Sequence, residues 1–154
     1  MNDTLETKKI TGNLLNDINI TINEENISVI NNIFDISKMG MLEVNEENLS
    51  KTQNSARVWT TISNKGLEKQ SNIVIKDYKT RTLLIDNIVN LTIKYNIKGI
   101  NIYFDSISET QAFNRFIIEL APRLREIGVS TNIILTENLN ESDYVGIVDF
   151  VIEN

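Results

Sequence analysis

A chain of 154 residues is near the usual size of one domain, and 41% hydrophobic residues supply a core that removes about 70% of the unfolded surface from water. The net charge of −6 excludes nucleic acid and anionic membrane surfaces as expected partners, because phosphate binding takes clustered Lys and Arg. With neither Cys nor His, the chain has no disulfide, no thiolate chemistry, no Ser-His-Asp or Cys-His triad and none of the usual zinc sites; a catalyst here must use carboxylates, Tyr, Lys or a bound ion.

The N-terminus, Met1-Asn2-Asp3-Thr4-Leu5-Glu6, carries no apolar signal core, and no apolar run approaches a membrane span, so the default expectation is a cytoplasmic protein. No Gly-rich phosphate-cradling loop occurs, and no cofactor and no metal site is expected. The abundance of Asn and Ile reads as codon bias. Residues 1–27 are polar, with patches at Ile10-Thr11 and Ile18–Ile22, and read as an arm or first strand region of one domain covering 1–154. Ser28–Ile36 is a better strand candidate, with a turn expected at Met39-Gly40-Met41. Arg57–Ser63 is a strand by composition, broken by Asn64-Lys65-Gly66.

Thr80–Tyr95 is a helix, with Leu84, Ile88, Leu91 and Tyr95 on one stripe that Leu83 and Ile85 widen; Asn96 suits its exit. Gly99–Asp105 is a strand on which Ile100, Ile102 and Phe104 alternate with Asn101, Tyr103 and Asp105. The second set either meets water or presents chemistry at a barrel's carboxyl-end mouth. Glu109–Ile127 is a helix with Ser108 as N-cap, Phe113, Phe116, Ile117, Leu120, Leu124 and Ile127 inward, the single Pro122 within it and Gly128 ending it. Strands over Val129–Leu135 and Ile147–Ile152 follow, with a short helical piece around Ser142–Gly146 between them. This alternation implies parallel strands joined by right-handed crossovers.

The run Tyr95-Asn96-Ile97-Lys98-Gly99-Ile100-Asn101-Ile102-Tyr103-Phe104-Asp105 resembles the signature strand of family 18 glycoside hydrolases. It is most similar to the spore-cortex and peptidoglycan-acting branch, which typically reads Gly-Ile-Asn-Ile-Asp-Phe-Glu there. Val58-Trp59, Arg81 with its helix, Phe116–Leu124, Val129-Ser130 and Val148–Val151 are similar to neighbouring family segments in the same order. Lys9-Ile10-Thr11 and Val29–Ile36 suit the first two strands, so the likeness covers roughly residues 9–154. The implied fold class is α/β, an incomplete (β/α)₈ barrel with about six parallel strands, its site at their carboxyl ends.

The resemblance implies a Glu that protonates the glycosidic oxygen, while the substrate's own acetamido group attacks and an Asp two positions earlier steers it. Here Asp105 stands at the acid position and Tyr103 at the steering position; Lys98 replaces another family Asp, and Asn101 fits the spore-type pattern. By the same likeness the chain stops before a family Tyr and the last two βα units, leaving open strand edges that invite pairing.

The candidate catalytic residues are therefore Asp105, Tyr103 and Asn101, and the candidate ligand contacts are Trp59, Tyr103 and Asn64; for Trp59, core packing is the bland alternative. Three readings follow: a non-catalytic relic working in binding or self-association; a weakly active N-acetylglucosaminidase with Asp105 as acid; and a sugar-binding module for N-acetylglucosamine-containing glycan. Family analogy adds spore coat or cortex as a location. Glu24-Glu25, Glu46-Glu47, Glu137, Glu141, Asp143, Asp149 and Glu153 are weaker constellations that solvated loop charge or helix N-terminal charge also explains.

Overall fold

The computed structural model describes residues 5–36, 41–44 and 57–153. The expected turn at Met39-Gly40 and the Glu46-Glu47 pair lie outside the described residues. The strands are β1 (Lys8–Thr11), β2 (Ile18–Ile22), β3 (Glu25–Ile36), β4 (Leu42–Val44), β5 (Val58–Ser63), β6 (Gly99–Tyr103), β7 (Ser130–Ile134) and β8 (Phe150–Glu153). The helices are α1 (Glu68–Lys76), α2 (Tyr78–Lys94) and α3 (Thr110–Glu126), with a 3₁₀ turn at Glu141–Tyr144.

The described strands form one sheet in the order β1-β8-β7-β6-β5-β3-β2, with β4 on β3. The run from β1 to β3 is parallel throughout, which gives the six parallel strands expected of an incomplete barrel. β2 joins β3 as an antiparallel hairpin. It turns through Asn23 and Glu24, both at positive φ (51° and 67°).

β1 and β2 thus lie at opposite edges of the sheet, yet only residues 12–17 connect them. Seven strands laid flat would place those edges roughly 29 Å apart at a spacing of about 4.8 Å. The link can reach at most about 25 Å. The sheet must curl, and at the other end Lys8 Nζ reaches Asn23 Oδ1 across the gap (3.4 Å).

Curling separates two cores. On the convex face Val58, Ile62, Ile100, Ile102, Ile133 and Val151 meet Leu84, Ile88, Phe113, Phe116, Leu120 and Leu124 of the helices. Phe104 anchors this layer, with ring centroids 5.5 Å from Phe113 and 5.6 Å from Phe116. The concave face holds a smaller cluster of Leu14, Ile27, Val29, Trp59, Ile134 and Ile152, with Ile10, Ile18, Ile20 and Phe150 at its margin.

Several local expectations change. α1 was not anticipated: it is short, polar and carries an Ile-Val-Ile run, and it buries only Ser71, Val74 and Ile75. β6 ends at Tyr103, two residues earlier than the alternation suggests. Ser108 is not the N-cap of α3; Glu109 occupies that place without a side-chain bond. Ile127 (37% exposed) and Leu83 (39%) lie outside the core, Ile127 because the helix has already ended. Asn96 leaves α2 at φ 53°, and Gly128 follows α3 at φ 76°.

Arg81 ties the helices together. Although 4% exposed, it donates from Nε to Glu119 Oε1 on α3 (2.8 Å) and from Nη1 to the Ile75 carbonyl at the end of α1 (3.1 Å).

Gly99 opens β6 where Trp59 lies across it. A Cβ there would sit 2.3 Å from Trp59 Cδ1 and 2.7 Å from Ser130 Oγ. Gly99→Ala should therefore destabilise the protein by about 1–3 kcal/mol through overpacking. Urea denaturation checks this, and an unchanged midpoint would show that Trp59 does not rest on the glycine.

Candidate active site

The parallel strands end together at one rim, where backbone groups run out of ladder partners. In the loop after β6, side chains supply those partners. Asn64, just past β5, accepts the Asp105 N–H on Oδ1 (2.9 Å) and donates from Nδ2 to the Asp105 carbonyl (2.9 Å). It thereby extends the β5–β6 ladder with a side chain. Asn72 on α1 donates to the Ser106 carbonyl (2.9 Å) and accepts the Ser108 N–H (3.0 Å). From the opposite side Thr136 Oγ1 donates to the Phe104 carbonyl (2.8 Å) and Asn138 Nδ2 to the Ile107 carbonyl (3.0 Å). Ser106 sits at φ 53°, and its N–H donates to Asp105 Oδ1 (2.8 Å).

Asp105 therefore stands, exposed, just beyond the carboxyl end of a central parallel strand. It borders a cleft of ≈ 410 Å³ with Tyr103, Ser63, Lys65, Glu68, Leu15 and Asn16. Ser63 Oγ accepts the Lys65 N–H (3.1 Å) and Glu68 Oε1 the Gly66 N–H (3.2 Å), so both side chains shape the turn they belong to. A larger groove of ≈ 500 Å³ flanks the same loop on its helix side, between α1 and the start of α3. It shares Glu68 with the cleft but receives none of the strand-end residues.

Of the residues proposed from sequence, Tyr103 and Asp105 meet in the cleft. The other three do not line it. Asn64 is 1% exposed and spends both ends of its amide on Asp105 and Ser71, so it positions the loop and has no group left for a ligand. Asn101 is fully buried one layer below Tyr103, where its Oδ1 accepts from Asn132 Nδ2 (2.9 Å). Trp59 is 2% exposed and lies 5.1 Å from the Phe150 ring, so no face is open to a sugar.

Four of the weaker acidic candidates, Glu25, Glu141, Asp149 and Glu153, are engaged elsewhere. Glu25 pairs with Arg57. Glu141 and Glu153 flank Lys9, whose pKa is raised first by the hydrogen bond it donates to Glu153 and next by the Glu141 charge. Asp149 Oδ2 accepts the Thr131 N–H (2.9 Å) between β7 and β8. Among the described residues, no group of three or more acidic side chains is placed to hold a metal ion, and no helix is long and apolar enough to cross a membrane.

Sequence reasoning missed Ser63, Lys65, Glu68, Leu15 and Asn16. Lys65 carried a usable signal, since it follows a strand directly at the carboxyl rim. Leu15 and Asn16 carried none, because they reach the cleft only through the curl.

Asn64→Ala leaves the Asp105 N–H and carbonyl unpaired and should cost about 2 kcal/mol. Amide hydrogen exchange should speed up at Asp105 and Ser106 while the centre of β6 stays protected. Exchange unchanged at those two amides would show that Asn64 does not hold the loop.

No family model and no curated protein matches this chain. Solved structures do. The spore cortex-lytic enzyme SleL of Bacillus cereus superposes with a TM-score of 0.72 at 21% identity, covering 81% of this chain and 33% of that one. A class V chitinase from Pseudomonas fluorescens Pf-5 gives a TM-score of 0.69 at 17% identity, covering 81% and 45%. The second catalytic domain of an Ostrinia furnacalis Group II chitinase, solved with the N-acetylglucosamine oligomer (NAG)5, gives 0.62 at 10%, covering 81% and 42%. The chain thus spans about a third to a half of the length of these structures. What it shares with them is a fold: an incomplete (β/α)₈ barrel like that of the family 18 glycoside hydrolases.

Proposed function

We propose that this chain binds N-acetylglucosamine-containing glycan in the carboxyl-end cleft and does not cleave it. The observation that carries the reading is the pair at the end of β6. Tyr103 and Asp105 line the cleft where the family resemblance calls for Asp and Glu. A general acid works within about 2.6–3.2 Å of its target oxygen. Asp reaches one methylene less far than Glu, and the Asn64 clamp fixes the backbone at 105, so the loop cannot advance to recover the distance. A misplacement of about 1 Å costs on the order of a hundredfold in rate.

Binding survives these changes. Tyr103 offers a ring face and a hydroxyl, while Ser63, Lys65, Glu68 and Asn16 offer polar groups to sugar hydroxyls. The glycan class is supported by neighbours named as cortex-lytic enzymes and chitinases, and the spore cortex or coat is the location this reading carries over from SleL. Self-association through strand edges is its weaker part, since Lys8 and Asn23 bring the β1 and β2 edges toward each other. A second reading, slow hydrolysis with Asp105 as acid, is favoured by Glu68, which puts another carboxylate on the same cleft.

Calorimetric titration with chitotriose and reducing-end assays on peptidoglycan and chitin oligomers separate the two. We expect saturable binding, weakened about tenfold or more by Tyr103→Ala, with no reducing ends released. Release abolished by Asp105→Asn would establish the second reading, and absence of binding to either polymer would reject both.

A further inference from the structure

We infer that the β1–β2 link, residues 12–17, is a strap that holds the site partly shut, with Leu14 as its plug, and that ligand enters from the strap-open state. This deepens the binding reading above and rests on it.

The strap crosses the rim because of the topology. β1 finishes at the carboxyl end, where the Gly12 N–H donates to the Glu153 carbonyl (2.9 Å), whereas β2 begins opposite Val29 of β3, further down the concave face. The chain between must dive into the mouth. Leu14 is 1% exposed and belongs to the concave cluster with Val29, Trp59, Ile134 and Ile152. Leu15 and Asn16, the next residues, line the same cleft as Tyr103 and Asp105. The strap's own fold is local, with the Leu15 N–H donating to Asn13 Oδ1 (3.0 Å).

The layer of side chains on the concave face beneath the plug is not purely apolar. Trp59 Nε1, Asn101 Nδ2, Asn132 Oδ1 and Ser130 Oγ are buried there without a hydrogen-bond partner among the described residues. Register places them in two adjacent layers, Trp59-Gly99-Ser130 and Thr61-Asn101-Asn132. Unpaired buried polar atoms are costly in the closed state. A ligand bearing hydroxyl or amide groups can relieve that cost only once the plug is out. This supplies the difference in affinity between open and closed states that a ligand needs to shift the equilibrium. The closed strap then lowers apparent affinity by the fraction of molecules that are open.

Trp59 is the only tryptophan of the chain, so its fluorescence reports on the concave cluster. In the full chain, Leu14→Ala should raise the acrylamide quenching constant of Trp59 about threefold and tighten chitotriose binding about fivefold or more. Ile133→Ala, which opens a comparable defect in the convex core, should change neither. Quenching equal to wild type in Leu14→Ala, or an equal rise in Ile133→Ala, would overturn the strap. Raised quenching with no chitotriose binding in any variant would uphold the strap and reject the binding reading; unaltered quenching with normal binding would do the reverse. Should Leu14→Ala fail to fold, hydrogen exchange of the wild-type Trp59 indole decides. We expect it to exchange faster than the Ile102 amide, through local opening, and equal protection of the two would overturn the strap.

Discussion

The constraint on which the rest of this structure depends is that β1 and β2 are neighbours in sequence and strangers in the sheet. They occupy opposite edges, and the few residues between them cannot span a flat sheet. The curl that results gives the sheet a concave face, and with it a second core around Trp59, Leu14 and Ile152. It also brings Leu15 and Asn16 to the rim beside Tyr103 and Asp105. A barrel of eight strands closes through backbone hydrogen bonds. Here the two edges are joined by a covalent link at the rim and a Lys8–Asn23 contact at the other end.

Within that frame, the placement of Asp105 depends on asparagine. A parallel sheet offers no ladder partner to the loop that leaves it, and a side-chain amide, with both donor and acceptor, can serve as one. Asn64, Asn72 and Asn138, with Thr136, bind the backbone from Phe104 to Ser108. The frequent asparagines, which composition alone assigns to codon bias, do structural work at this loop. The clamp also separates a residue's position from its chemistry: the backbone at 105 is held by Asn64, while the side chain presented there is an aspartate, one methylene shorter than a glutamate.

Much of this was legible in the sequence, for physical reasons. The 3.6-residue stripe of α2 and the aromatic face of α3 exceed any competing period, so both helices could be read, and Asn96 and Gly128 marked their ends. The alternation in β6 assigned Ile100, Ile102 and Phe104 to one face correctly. The same alternation could not tell whether the other face met water or a second core, because that depends on whether the sheet curls. For this reason Trp59 and Asn101 looked like site residues and are buried. Asn64 lies just past β5, where the sequence breaks the strand, and its amide bonds Asp105 and Ser71. α1 escaped notice because it is nine residues long and its apolar residues fall in one run, Ile73–Ile75, too short to display a 3.6-residue period.

The central claim is that the sheet curls around its own inner core, with Leu14 seated against the strands at the carboxyl mouth. Methyl-selective NMR tests it most directly. The account predicts cross-relaxation from the Leu14 methyls to the Ile134 and Ile152 methyls and to the Trp59 ring. Leu14 methyls with contacts only to their sequence neighbours would contradict it, since the link would then run outside the sheet and leave the concave face uncovered.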